Sequence, residues 1–249
     1  MANIIEFKNV YNQFDDVEVH HDISFGIERG EIFSIIGASG SGKTTLLRNM
    51  LMLLPPSKGT VNILGENIYD CSQDKAEYLR SRFGVLFQSG ALFGSLTVLQ
   101  NVMFPLKEFT KLPKEFSEKL ALIKINMAGL PMAAANKYPS ELSGGMIKRA
   151  ATARAIVLDP EILFLDEPTS GLDPESREEF NDLVIQLHES LKLTVVMVSH
   201  DVPSIEKIAN RVAFLGEGKL LALGKIDEVR NTDHPVVRNY FKADRALSE

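Results

Sequence analysis

Gly37-Ala38-Ser39-Gly40-Ser41-Gly42-Lys43-Thr44 fits the pattern G-x-x-x-x-G-K-[ST] without exception. Glycines at 37, 40 and 42 let the main chain turn its N–H groups inward around an anion, and a helix starting behind them adds its positive end. Lys43 has the reach for β- and γ-phosphate oxygens, and the Thr44 hydroxyl is a ligand for Mg²⁺. Ser39, Ser41 and Thr45 complete the candidate nucleotide-binding stretch. In a chain this long the pattern arises by chance roughly 1% of the time, before its surroundings are counted. Two consecutive carboxylates, Asp166 and Glu167, follow the apolar run Ile162-Leu163-Phe164-Leu165. Side chains alternate along a strand, so the pair can divide its work, Asp166 supporting Mg²⁺ and Glu167 polarising an attacking water. Surface carboxylates in a loop are the bland alternative, and the apolar run directly before them weighs against it. Leu142-Ser143-Gly144-Gly145-Met146 precedes an Ala-rich helical run, with Ser143 as N-cap and with Gly144 and Gly145 offering N–H groups to an anion. A simple capped helix start has the same letters. No N-K-x-D guanine-reading element is present, which favours ATP.

These groups need a rigid frame, and the hydrophobic pattern supplies an α/β one. Ile32-Phe33-Ser34-Ile35-Ile36, Ile162 to Leu165 and Thr194-Val195-Val196-Met197-Val198 are nearly continuous apolar runs, as strands covered on both faces of a parallel sheet require. The first leads into the phosphate loop and a helix-prone run, Thr44 to Leu54. Ile4-Ile5-Glu6-Phe7 and Ile23 to Ile27 read as half-buried strands at the N-terminus, with a turn at Glu28-Arg29-Gly30-Glu31 after them. From about Leu96 to Ala135 the character changes. Phe116, Leu120, Ile123 and Met127 recur at helical steps, which predicts a mostly helical lobe inserted in the sheet domain and a buried stripe along one helix. A second helix is expected from Met146 to Leu158, stopped by Asp159-Pro160. Arg211 to Leu215 and Lys219 to Leu223 flank Gly216-Glu217-Gly218 as a hairpin, followed by a helix near Val236 to Ala246.

Composition is that of an ordinary globular chain. The length of 249 residues suits one domain, or one with a lobe, and 45% hydrophobic residues suffice for a sizeable core. Lys and Arg number 27 against 33 Asp and Glu, and the resulting charge of −6 argues against nonspecific nucleic-acid binding. Cys71 is the single cysteine, which excludes an internal disulfide or a cysteine-built zinc site. There is no apolar run of membrane-spanning length and no signal-peptide order at Met1-Ala2-Asn3-Ile4-Ile5-Glu6, so a cytosolic chain is expected.

Taken in order, the motifs resemble those of the ATP-binding cassette family over essentially the whole chain. The resemblance implies a P-loop NTPase core with a mostly parallel sheet, an N-terminal antiparallel β subdomain and an inserted α-helical subdomain. It implies one nucleotide-binding domain over 1–249, with the helical subdomain at about 90–158 and a C-terminal helical tail at 225–249. Gln88, after Val85-Leu86-Phe87, looks like the Q-loop glutamine that assists Mg²⁺ or water and senses a transmembrane partner. Ser170-Gly171-Leu172-Asp173 looks like the loop that crosses the dimer interface, and His200 like the switch histidine at the γ-phosphate. A lone histidine after a strand is more often structural; the order of the motifs makes the set specific. Phe14 occupies the expected adenine-stacking position, with Tyr11 as the competing choice. The family signature commonly ends in Gln where this chain has Met146; Ser143 and both glycine amides are unchanged, so ATP contact is expected to survive.

The distance from 37 to 142 leaves no room for the coiled-coil arms of chromosome-maintenance relatives, and a single motif set excludes fused tandem types. Phe87 to Phe93, Phe104-Pro105-Leu106, Leu142 to Arg149 and Val198 to Pro203 are similar to the branch that powers Mla-type phospholipid transport with mammalian-cell-entry type proteins. What this implies is a homodimer of ATPase subunits, cytoplasmic and peripheral on the inner membrane through a multi-span permease. A periplasmic lipid-binding protein of the mammalian-cell-entry type and a small cytoplasmic accessory subunit complete the implied set. The competing reading is a soluble regulatory or assembly ATPase of the same fold that scaffolds a partner and moves no substrate. A degenerate nucleotide sensor is disfavoured, because Lys43, Asp166, Glu167 and His200 are all present.

Overall fold

Alternating short apolar strands and amphipathic helices give a layered α/β arrangement, seen here in a computed structural model that describes residues 3–248, with side chains as far as residue 242. The chain opens with β1 (Asn3–Phe14), β2 (Val17–Glu28), β3 (Ile32–Ile36), α1 (Lys43–Met50), β4 (Lys58–Ile63) and β5 (Glu66–Asn67). It continues with α2 (Gln73–Ser81), β6 (Phe83–Leu86), α3 (Val98–Phe109), α4 (Lys114–Met127), α5 (Gly144–Ala155), β7 (Ile162–Asp166) and α6 (Pro174–Leu191). It closes with β8 (Thr194–Val198), α7 (Val202–Ile208), β9 (Arg211–Gly216), β10 (Lys219–Gly224), α8 (Ile226–Arg230) and α9 (Pro235–Ser248). Among the described residues no helix is long and apolar enough to cross a membrane.

Two units divide the chain, Met1–Arg80 with Thr194–Glu249, and Ser81–Leu193. In the first, an antiparallel sheet runs in the order β2-β1-β4-β5. Beside it β3 lies parallel to β8 on one edge and to β9 on the other, with β10 returning antiparallel to β9. Phe25 stacks on Phe7 at 4.7 Å and on Phe33 at 5.6 Å, so an aromatic column ties the antiparallel sheet to β3, the strand that delivers the phosphate loop. Strands β1 and β2 are longer than the sequence suggests because they are kinked rather than ended. Asn9 and Asp22 have φ of 47° and 56°, the register slips around them, and Asn9 Nδ2 donates to Asp22 Oδ1 at 2.8 Å.

In the second unit β6 and β7 pair in parallel, Leu86 against Leu165. A Cβ at Gly84 would overlap the Ala155 carbonyl, so glycine lets the end of α5 lie directly on β6. Helices α3, α4 and α5 close around Val98, Val102, Leu106, Ala121, Ile125, Ala150, Ala153 and Val157. Thr97 caps α3 reciprocally with Gln100, and buried Asn101 donates to the carbonyls of Phe93, Leu96 and Thr97, stapling the preceding loop to that helix. The stripe expected along α4 holds only in part. Leu120 packs against the core and Met127 is half-buried, but Phe116 and Ile123 are 59% and 54% exposed, and the fully buried positions are Ser117, Ala121, Lys124 and Ile125. Small residues let α4 approach its neighbours closely, and Lys124 is accommodated by an ion pair to Asp159 at 2.5 Å.

Candidate functional site

Strand β3 ends at Ile36, and the main chain then turns through Gly37, Gly40 and Gly42, with φ of 144°, 78° and 91°, before α1 starts. These are conformations that side chains resist. Gly42 N-caps α1 with its own main chain, its carbonyl accepting from Thr45 and Leu46 N–H at 2.8 and 3.1 Å. Lys43 is 9% exposed and folds back, Nζ donating to the carbonyls of Gly37 at 2.7 Å and Ala38 at 3.0 Å. The ammonium thus braces the loop it belongs to. Ser39, Gly40 and Thr44 are exposed, while Ser41 Oγ is buried with no hydrogen-bond partner, an orphan that a bound phosphate would satisfy.

Beneath the loop lies a polar network that the sequence reading missed. His20, on β2, is fully buried; its Nδ1 lies 3.0 Å from Asn12 Nδ2. Asn12 Nδ2 also donates to Asn49 Oδ1 at 2.8 Å, while Asn49 Nδ2 donates to Asn12 Oδ1 at 3.1 Å and to the Leu54 carbonyl at 2.7 Å. With both Asn12 protons committed as donors, His20 Nδ1 must accept, and the imidazole proton sits on Nε2. That nitrogen is turned to Gly42, where a Cβ would overlap it. Burial pushes the His20 imidazole down from 6.5 to about 4, partly offset by the Ser41 backbone. The unfolded chain therefore binds the proton first, and stability present above about pH 6.5 is lost as the pH falls towards 4. Urea unfolding is expected to show about 2 kcal/mol more loss between pH 7 and pH 5 in the wild type than in His20→Gln. Equal losses would show that His20 is not the group titrating.

At the tip of the β1–β2 hairpin Phe14 is 42% exposed and faces Val17 across the turn. Tyr11 is engaged, edge-on to His21 at 5.0 Å with Lys58 Nζ 5.7 Å from its ring centre. Phe14 is thus the aromatic with an open face. His200 follows β8 directly and is exposed; its carbonyl accepts from the Tyr240 hydroxyl at 3.4 Å.

In the second unit Asp166 ends β7, and Glu167 has φ of 47°, a conformation uncommon for a side chain and concentrated at functional positions. Gln88 Nε2 donates to Ser170 Oγ at 3.3 Å, so the glutamine amide and the 170–173 loop meet in this chain. Asp173 caps α6, its carboxylate accepting from Ser176 N–H at 2.9 Å, and those bonds to Ser176 hold its pKa down. Ser143 caps α5, accepting from Met146 N–H at 3.3 Å, with Gly144 exposed and Gly145 half-buried at that helix start. A Cβ on Gly144 would meet nothing within 4 Å, so the space beside this helix start is open. Lys148, one turn further, was also missed. It is 5% exposed and donates to the carbonyls of Gln88 at 2.6 Å and Glu167 at 3.1 Å. Burial lowers its pKa, opposed by Glu167 and Asp166. No sequence signal marked it, since a lysine in an amphipathic helix reads as surface.

The oxygen chemistry of Thr44, Gln88 and Asp166 suits Mg²⁺, a hard cation. Among the described residues no cluster of three or more His, Cys, Asp or Glu could hold a metal ion.

A lysine-braced glycine loop running from a buried strand into a helix is the phosphate grip of P-loop nucleotide hydrolases. Residues 20–170 match the family described as ABC transporter, and the chain belongs to that family as an ATP-hydrolysing cassette. It is similar to the intermembrane phospholipid transport system ATP-binding protein MlaF of Haemophilus influenzae, 38% identical over 97% of this chain and 91% of that protein. The MlaF of Escherichia coli K12 is 39% identical over 97% of this chain and 89% of its own length. The probable ribonucleotide transport ATP-binding protein mkl of Mycobacterium leprae is 36% identical over 98% of this chain and 70% of that protein. Among solved structures, the bacterial ABC transporter cassette MJ0796, solved as a dimer, superimposes with a TM-score of 0.82 at 33% identity, covering 89% of this chain and 98% of that one. The same cassette in a post-hydrolysis state, bound to ADP and Pi, gives 0.81.

Proposed function

We propose that this chain powers the transport of phospholipid, or related hydrophobic cargo, between inner and outer membranes. The observation that carries the cargo is the extent of the likeness to the two MlaF proteins, which runs over about nine-tenths of their length. The mkl protein is described as a ribonucleotide transporter subunit, and this supplies the second reading; the likeness there spans 70% of that protein at lower identity. In the proposed assembly two copies form a homodimer, peripheral on the cytoplasmic face of the inner membrane through a multi-span permease. A periplasmic lipid-binding protein of the mammalian-cell-entry type and a small cytoplasmic accessory subunit join them. Each chain is one nucleotide-binding domain, with its helical subdomain at about 90–158 and a C-terminal tail at 225–249.

The proposed chemistry assigns ATP to Gly37, Ser39, Gly40, Ser41, Gly42, Lys43, Thr44 and Thr45, with Phe14 stacking on adenine. Ser143, Gly144 and Gly145, with Asp173, close on the nucleotide held by the other copy. Thr44, Gln88 and Asp166 hold Mg²⁺, which neutralises charge on the phosphates. Glu167 orients and polarises the attacking water, and His200 stabilises charge on the transferring phosphoryl group. ATP drives closure only by as much as it prefers the closed pair. Affinity capture of the tagged chain from membranes, with lipid analysis, tests the cargo: a permease carrying bound phospholipid is expected. A permease that copurifies with ribonucleotide, or no membrane protein at all, sinks the phospholipid reading.

A further inference from the structure

We propose that Lys148 is a positioning residue for ATP hydrolysis, holding the main chain at Gln88 and at Glu167 with one ammonium so that both follow the helix that starts at Ser143. It rests on the reading of Gln88 and Glu167 above. Two carbonyls from segments far apart in sequence, one after β6 and one after β7, converge on a single buried Nζ at 2.6 and 3.1 Å. Burying an ammonium is unfavourable, and a methionine of similar length would fill the space without that cost. The charge is explained by what it holds.

What it holds is backbone in uncommon conformations, fixed otherwise by short turn bonds, Ser170 N–H to the Glu167 carbonyl and Gly90 N–H to the Phe87 carbonyl. Glu167 sits at φ 47°, where a non-glycine residue persists only if its surroundings fix it. Its carbonyl accepts from Lys148 and from Ser170 N–H at 3.2 Å. The segment after Gln88 is treated alike. Ala91 has φ of 46°, and Arg154 of the same helix donates to the Ala91 carbonyl at 2.6 Å and the Gly90 carbonyl at 2.8 Å. A Cβ at Gly90 would come within 2.7 Å of Ile147, so this segment lies flat on α5. Helix α5 thereby carries three things as one body: the Ser143 turn, the 88–91 segment and the main chain of the candidate catalytic carboxylate. A displacement of any one is passed to the others through Lys148 and Arg154, alongside the Gln88–Ser170 contact between the loops.

Lys148→Met in the full chain is expected to lower kcat for ATP about 30-fold while the Kd for a fluorescent ATP analogue, bound by the 37–45 loop of the other unit, stays within about threefold. Lys148→Arg, which keeps charge and donors, is expected to recover kcat to within about threefold of wild type. A merely structural lysine would lower binding and turnover together. Three results overturn the assignment: wild-type kcat in Lys148→Met, equal slowing in both variants, or Kd weakening in step with kcat. Should Lys148→Met fail to fold by thermal melting, Lys148→Gln is read by the same kcat and Kd criteria. Inactive wild type, or Glu167→Gln as active as wild type, would remove the reading beneath and Lys148 with it. Active wild type, inactive Glu167→Gln and unimpaired Lys148→Met would remove Lys148 alone.

Discussion

Glu167→Gln is expected to bind ATP as tightly as wild type and to hydrolyse it about 10²–10³-fold more slowly. The substitution keeps the shape of a side chain whose main chain is fixed at φ 47° and whose carbonyl is held by Lys148 and Ser170, so the turn has no reason to rearrange. What disappears is the negative charge proposed to polarise the attacking water, a contribution general bases make at this scale. Because ATP favours the closed pair until it is cleaved, the variant is also expected to accumulate as an ATP-dependent dimer. Steady-state phosphate release and light scattering with Mg-ATP read both effects. Turnover at the wild-type rate would show that the water is activated elsewhere.

Gly42→Ala is expected to weaken nucleotide binding about 100-fold. Two costs coincide at this position. The φ of 91° is unfavourable for alanine, and the new Cβ would overlap His20 Nε2, lie 2.7 Å from its Cε1 and 3.0 Å from Val19 Cγ1. His20 cannot step aside, since Asn12 and Asn49 hold it from behind. The loop must move instead, and with it the amides that precede Lys43. Gly40→Ala is the internal control: its φ is 78°, but nothing lies within 4 Å of its Cβ position, so a loss about tenfold smaller is expected. Titration with a fluorescent nucleotide compares the two. Equal losses would mean that the backbone angle alone matters and the His20 contact is immaterial.

Local structure was legible in the sequence where it depends on short segments. The phosphate loop, the 166–167 carboxylates and the Ser143 cap each lie within a few residues of a buried strand or a helix start, and local pattern suffices for those. Where function depends on which face of an element turns inward, the letters misled. Phe116, Leu120, Ile123 and Met127 marked α4 correctly as a helix, but only Leu120 and Met127 turn partly inward, and close packing centred on Ser117 and Ala121, because bulk would hold neighbouring helices apart. His20 was hidden for a related reason. Counting back in twos from Ile27 through Phe25 and Ile23 predicts His21 inside. Lys148 had no local signature at all, since its partners are main-chain oxygens 60 and 19 residues away.

The kink at Asp22 therefore acts as a selector between two adjacent imidazoles. Were residue 22 to relax to ordinary strand geometry, the pleat would carry His21 inward and present His20 to water. The Asn9–Asp22 hydrogen bond lies midway along the same strand pair, close to His20 in sequence, and it fixes the kink that decides which ring underpins the phosphate grip. Exchanging strands among related cassettes would transplant this parity along with the side chains, so a hybrid is safest when residues 9 to 22 travel with the loop they support.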